Sequence, residues 1–164
     1  MLINWTLPSH GWIKVNIDGN LNCTNTGIGG LFKDVNGKCI VFLASPCVAS
    51  SPLETETRAA LGALQITISY GLSHIILETD SLVLFQILMG FLKPDWNITI
   101  LLNRIKDMVI KFHFQIQYAL INREANRPAD WLAKKGHLGI IIGENPTCPL
   151  YNLTLGDVLD APYM

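Results

Sequence analysis

The residues best suited to chemistry in this chain are acids placed where the local sequence pattern changes. Asp18 closes an alternating stretch, Asp80 follows a short apolar run, and Asp130 opens a segment with helical spacing. Glu54 and Glu56 open another such segment. Carboxylates are the oxygen ligands that a hard divalent cation prefers. Each acid also has an ordinary reading. Asp18-Gly19-Asn20 suits a turn, and Asp80 suits a helix N-cap. Asp130 and either glutamate suit the first turn of a helix, where the dipole favours negative charge. Taken singly, these acids indicate only an α/β domain without a defined reaction.

The elements that would have to position them can be traced along the chain. Trp12 to Asp18 alternates, with Ile13, Val15 and Ile17 on one face, and reads as a strand. Gly27 to Phe32 and Cys39 to Ala44 read as two more, joined by the turn Asp34-Val-Asn-Gly37, so that an antiparallel meander is expected. From Leu53 to Tyr70 the period becomes helical, and Gly71 suits the residue just past a helix end. His74 to Glu78 reads as a short strand, with a helix after Asp80 and Ser81 to about Leu88. Ile98 to Phe112 reads as a helix, Phe114 to Ile121 as a strand, and Pro128 to about Lys135 as a last helix. This order implies an α/β fold, a five-stranded mixed sheet with helices on both faces. In such sheets, sites lie beyond the strand ends near a switch in strand order. Residues 1–10 read as a lead-in, 11–136 as the domain, and 137–164 as a tail of loop with one short helix at most.

Composition narrows the class. With 164 residues, 49% hydrophobic and 15% charged, the chain can bury a full-sized core and is not of disordered type. No stretch has the ~18 consecutive apolar residues of a membrane helix, and the start carries no secretory pattern. The four cysteines, Cys23, Cys39, Cys47 and Cys148, suit neither a zinc site nor a disulfide scaffold, and are expected to be reduced and mostly buried. Four Asn-x-Ser/Thr triplets, beginning at Asn4, Asn22, Asn97 and Asn152, are read as chance. The net charge is −1. All 12 Lys and Arg but only 10 of the 13 Asp and Glu fall within residues 1–136, a net of +2 there, which permits phosphate binding without arguing for it.

Four segments carry a resemblance. Ile17-Asp-Gly19 followed by Gly27-Ile-Gly-Gly-Leu-Phe-Lys-Asp34 is one, and Glu56-Thr-Arg-Ala-Ala-Leu-Gly-Ala-Leu64 is another. Glu78-Thr-Asp-Ser81 and Arg123-Glu-Ala-Asn-Arg-Pro-Ala-Asp-Trp-Leu-Ala-Lys134 complete the set. Together, in this order, they resemble the type 1 ribonuclease H domain family. The wording is nearest its plant, retroelement-derived branch, in which a segment like Trp5 to Lys14 precedes the first strand. The resemblance implies hydrolysis of the RNA strand of RNA–DNA hybrids with two Mg²⁺ ions, Mn²⁺ being an alternative. Two such ions can activate water, stabilise the phosphorane-like transition state and assist the leaving oxygen. By resemblance, Asp18 would bridge both ions, Asp130 would complete the one activating water, and Glu56 with Asp80 would hold the one at the leaving oxygen. Glu56 is preferred to Glu54 because the family pattern of Ala, Ala and Leu after the glutamate then falls on Ala59, Ala63 and Leu64; helical periodicity does not separate the two. Gly19, Asn20, Ser81, Arg123 and Asn126 are the implied nucleic-acid contacts. The implied partner is an RNA–DNA hybrid or other nucleic acid, with no membrane. The protein is expected to be an intracellular monomer of nucleus or cytoplasm.

Three features depart from the family pattern. Leu120 stands ten residues before the final aspartate, where many relatives have a histidine. Leu21-Asn-Cys-Thr-Asn-Thr26 replaces a glycine-rich turn. Met89 to Trp96, with one lysine, stands where some relatives insert a basic grip; Trp96 reads first as a packing residue, with stacking on a base or sugar as the alternative. Two function classes therefore remain: a hybrid-specific endoribonuclease, and a binding or interaction module of the same fold with little turnover. A related-fold 3′–5′ exonuclease is weaker, because the glutamate is on a helix and not in an Asp-x-Glu pair on the first strand.

Overall fold

The computed structural model describes residues 7, 8, 10–23 and 25–136, and the backbone of 141–144. Trp5, Cys148 and the stretch from 145 onward lie outside the described residues. The elements run β1 (Ile13–Asn20), β2 (Gly27–Lys33), β3 (Cys39–Pro46), α1 (Pro52–Ser69), β4 (His74–Thr79), α2 (Leu82–Leu88), α3 (Trp96–Lys111), β5 (Gln115–Leu120), α4 (Arg127–Lys135) and β6 (Ile141–Glu144), with a 3-10 turn at Arg123–Asn126 before α4.

Local sequence accounts for the boundaries. The β2–β3 turn closes on Asp34, whose Oδ1 accepts from the N–H groups of Asn36 and Lys38, and Gly37 takes the positive φ that the turn needs. Helix α1 starts at Ser51, whose hydroxyl oxygen accepts from Glu54 N–H at 3.1 Å, with Pro52 in the first turn where no N–H is required. It ends where Gly71 turns left-handed. The Gly71 and Leu72 N–H groups then bond back to the carbonyls of Ile68 and Thr67, a Schellman closure.

The strands form one sheet in the order β5-β4-β1-β2-β3-β6. β1, β2 and β3 are the antiparallel meander, whereas β1–β4 and β4–β5 are parallel. The sheet is therefore mixed, and the change of sense occurs at β1. Helix α1 lies on one face with α3, their Leu64 and Ile105 in one cluster with Val15, Ile17 and Phe32 of the sheet. Helix α4 covers the other face, over Leu31, Phe42 and Ala44. Two glycines of β2 set how closely α4 approaches: a Cβ on Gly27 or Gly29 would lie about 2.5 Å from the carbonyl oxygen of Ala133 or Ala129. No helix of the described residues is long and apolar enough to cross a membrane.

The expected five strands all form, and a sixth joins them. Ile141–Glu144, read as loop from the sequence, pairs antiparallel with β3 from Ala44↔Ile141 to Val41↔Glu144. The pairing satisfies backbone groups that an edge strand leaves open, and this long-range reason is invisible in a four-residue window. Among the described cysteines, Cys39 is buried, its thiol donating to Val41 O at 3.6 Å, while Cys47 is half-buried and Cys23 exposed.

Candidate active site

The carboxylates collect at the C-terminal ends of the parallel neighbours β1 and β4. Asp18 lies near the end of β1 and is buried; Gly19 N–H donates to its Oδ1 at 2.9 Å. A Cβ at Gly19 would come within 2.7 Å of Thr55, so the bare glycine lets the first turn of α1 press against the strand end and brings Glu56 beside Asp18. Asp80 follows β4. It does not cap α2, because the Ser81 side chain takes that role by accepting from Leu84 N–H at 3.2 Å. One oxygen each from Asp18, Glu56 and Asp80 lies within 4.8 Å of the others. Asp130, on α4, is not one of these three; its charge is felt at Asp18 and Asp80, and its Oδ2 is 2.9 Å from Lys134 Nζ.

The two glutamates of α1 have different surroundings. Glu54 accepts from Arg58 Nε at 3.0 Å, from Ser50 Oγ at 3.1 Å and from Ser50 N–H at 3.4 Å. Burial alone would raise its pKa, yet these donors and the Arg58 charge hold it below the usual range. It ties Ser50, the residue before the N-cap Ser51, to the first turn of the helix. Glu56 Oε2, by contrast, is buried with no hydrogen-bond partner among the described residues.

The cluster is electrostatically uncompensated. Desolvation, followed by the charges of Glu56 and Asp80 and by Asp130, pushes the Asp18 carboxyl up to about 10. Desolvation and Asp80 push Glu56 to about 8, against the opposing pull of its hydrogen bonds with Asp18 and Gly19 and the charge of Arg123. Asp80 is also raised, chiefly by desolvation, with Asn126 and Arg123 opposing. Three converging hard oxygen donors, one of them from Glu56 with its orphan Oε2, fit a divalent cation, which would replace the protons that the cluster otherwise holds.

The expected nucleic-acid contacts divide. Gly19 and Asn20 are partly exposed at the end of β1; Asn20 Nδ2 donates to Asn25 O at 2.6 Å and ties down the altered turn. Arg123 is exposed, and its charge reaches Glu56 and Asp80. Ser81 is occupied as a helix cap. Asn126 is 0% exposed and turned inward: its Nδ2 donates to Ile17 O at 2.8 Å, and its Oδ1 accepts from Asn16 Nδ2 at 3.3 Å. The sequence reading missed Lys14, Asn16 and Glu78, buried just behind the site. Their signal was spacing, since they stand four and two residues before Asp18 and two before Asp80 on the same strand faces. Leu120 pairs across from Thr79 at the rim and is 42% exposed. Trp96, expected to pack, opens α3 at 78% exposed.

Residues 16–136 match the reverse transcriptase-like family. An Arabidopsis thaliana protein described as a ribonuclease H protein is 30% identical over 139 residues; the match covers 80% of this chain and 22% of that protein, so the chain spans about a fifth of its relative's length. Among solved structures, ribonuclease H1 of the archaeon Halobacterium salinarum superposes with a TM-score of 0.70 at 18% identity, covering 76% of this chain and 96% of that one. LC11-RNase H1, in complex with an RNA/DNA hybrid, gives 0.69 at 19% identity, covering 77% and 99%. A foamy viral protease-reverse transcriptase in complex with an RNA/DNA hybrid gives 0.60 at 16% identity, covering 82% of this chain and 21% of that one. These structural likenesses establish a shared fold.

Proposed function

The chain belongs to the reverse transcriptase-like family of ribonuclease H domains, and on that premise we propose that it is an endoribonuclease hydrolysing the RNA strand of RNA–DNA hybrids. The observation that carries this reading is the convergence of Asp18, Glu56 and Asp80 from three separate elements, with a buried oxygen of Glu56 left without a partner. A structural cluster would have been neutralised by nearby cations or donors, as Glu54 is.

Asp18, Glu56, Asp80 and Asp130 would hold two divalent ions, Mg²⁺ or Mn²⁺. Bound there, such ions supply charge neutralisation at the scissile phosphate and at its attacking and leaving oxygens. The chain's own residues do the rest. β1 and β4 fix Asp18 and Asp80 in strand register, and α1 sets Glu56 against them. Arg123 adds a positive charge at the rim where a phosphate would approach. Gly19 and Asn20, at the strand end, are placed to meet the RNA backbone, so recognition would rest on groove shape and 2′-hydroxyls and not on base sequence. The protein would act as an intracellular monomer, with residues 11–136 as the working domain. Its plant-type wording fits descent from a retroelement.

One observation favours the alternative of a binding module with little turnover: apolar Leu120 stands at the rim where many relatives place a histidine. A single assay decides between them. A labelled RNA–DNA hybrid is incubated with the protein in Mg²⁺, Mn²⁺ or EDTA, beside duplex DNA. Metal-dependent cutting confined to the RNA strand is expected. Hybrid retained intact in both metals, with binding preserved, establishes the module.

A further inference from the structure

Behind the three carboxylates lies a buried line of side chains that the cation chemistry does not use. Lys14, Asn16 and Asp18 share one face of β1, and Asn16 pairs in register with Glu78 of β4. Lys14, Asn16, Glu78 and Asn126 are 6%, 3%, 3% and 0% exposed. Lys14 Nζ is 3.4 Å from Glu78 Oε2. Asn16 Nδ2 donates to Glu78 Oε1 at 3.2 Å and to Asn126 Oδ1 at 3.3 Å. Asn126 Nδ2 donates at 2.8 Å to Ile17 O, the carbonyl of the peptide that leads into Asp18.

This line has a direction. A carboxylate offers only acceptors, and an amide offers donors on nitrogen and acceptors on oxygen. Glu78, held by the Lys14 ammonium, therefore obliges Asn16 to turn its nitrogen inward. The second hydrogen of that nitrogen meets Asn126 Oδ1, which obliges Asn126 to turn its own nitrogen toward Ile17 O. Reversing either amide would set oxygen against oxygen.

We propose that Lys14, Glu78, Asn16 and Asn126 form a polarity relay whose output is a donor fixed on the Ile17 carbonyl beside Asp18, making Glu78 a positioning residue for the cation site although it ligates no ion. The inference rests on the cation-binding reading above. Outer partners of this kind typically change metal affinity by roughly 10–100-fold.

Glu78→Gln keeps the shape of the side chain but can donate as well as accept, so both amides become free to reverse. Titration of Mn²⁺ into the metal-depleted full chain, followed by calorimetry, should show affinity about tenfold weaker. The double variant Lys14→Met/Glu78→Gln leaves the pair at net zero charge, as in the wild type, and should bind as weakly as the single variant. Recovery of wild-type affinity in the double variant would mean that charge alone acts, and would overturn the relay. So would a lowered melting temperature with unchanged affinity, which marks a purely structural pair. Should Glu78→Gln not fold, the double variant's isotherm decides in the same way. On the wild type, the Asn16 and Asn126 side-chain amide protons should exchange slowly with solvent by NMR, and rapid exchange refutes the relay. If the wild type takes up no Mn²⁺ at all, the functional reading falls, and the amide measurement still decides the relay.

Discussion

One buried acid and one cluster of partly buried acids sit at the same end of this sheet, one residue layer apart, and they are built on opposite terms. Glu78 has an ammonium, an amide donor and full enclosure. Asp18, Glu56 and Asp80 have one another, a few donors and an orphan oxygen. The inner acid behaves as part of the fold, since removing either partner of a buried pair leaves an uncompensated charge. The outer acids oppose the fold, since burial and mutual repulsion penalise their ionised forms. A chain carries such a penalty at one position when something bound there removes it, and this is why the outer layer reads as a site and the inner layer as its support.

That contrast can be broken from either side. The largest effect is expected in the outer layer. Glu56→Gln and Asp80→Asn should each lower hybrid cleavage by ~10²–10³-fold or more, the scale of losing one preorganised electrostatic contact in a transition state. Glu56→Gln should melt no lower than wild type in EDTA. In the inner layer the order reverses: Glu78→Leu leaves Lys14 buried without its carboxylate and should cost about 3–5 kcal/mol in chemical denaturation. A stability loss for Glu56→Gln as large as that for Glu78→Leu would erase the distinction.

pH sharpens the comparison. Asp18 and Glu56 are raised from 3.8 and 4.5 to about 10 and about 8. The folded chain therefore keeps protons that the unfolded chain releases. Their contribution is full below the unfolded values and is lost as pH rises through the folded ones. In EDTA the melting temperature should fall between about pH 5 and 8. Saturating Mg²⁺ should flatten that slope by replacing the protons. A melting temperature that rises across this window in EDTA contradicts the uncompensated cluster. Glu54, whose pKa is lowered, acts below this window and does not mask it.

Two smaller effects complete the series. Leu120→His, introducing an imidazole at the rim, should raise turnover several-fold if proton transfer or product release limits the rate, below the ~10²–10⁴ span of a fully developed general acid–base contribution. Glu54→Gln should cost about 0.5–1 kcal/mol through a weakened tie to Ser50 and a half-exposed Arg58 pair, with cleavage retained. Loss of cleavage in Glu54→Gln would exchange the roles of the two glutamates.

Much of this arrangement was legible in the sequence wherever its cause was local. Ser51 and Gly71 bound α1, Asp34 to Gly37 turns β2 into β3, and alternation marks β1. The resemblance nominated Asp18, Glu56, Asp80 and Asp130, because their motifs stand in order along the chain. What escaped was set by partners distant in sequence. Lys14 and Asn16 occupy the polar half of an alternating strand, which ordinarily faces water; they are buried because α4 and the turn before it close over them. Asn126 looked like a surface contact because its motif sits beside an aspartate, and only packing shows that it points inward. Trp96 looked like a packing residue because a boundary tryptophan usually is one.

The pairing of β6 with β3 has a consequence for the order of assembly. Ala44 waits for Ile141 and Val41 for Glu144, so nearly the whole domain is synthesised before that ladder can close. Until then β3 offers one row of bare N–H and C=O groups to the surroundings, as an open strand edge does. A version ending at residue 136 would keep every proposed ligand yet hold that edge open permanently. Its weakness would be expressed as self-association at high concentration and not as a missing reaction.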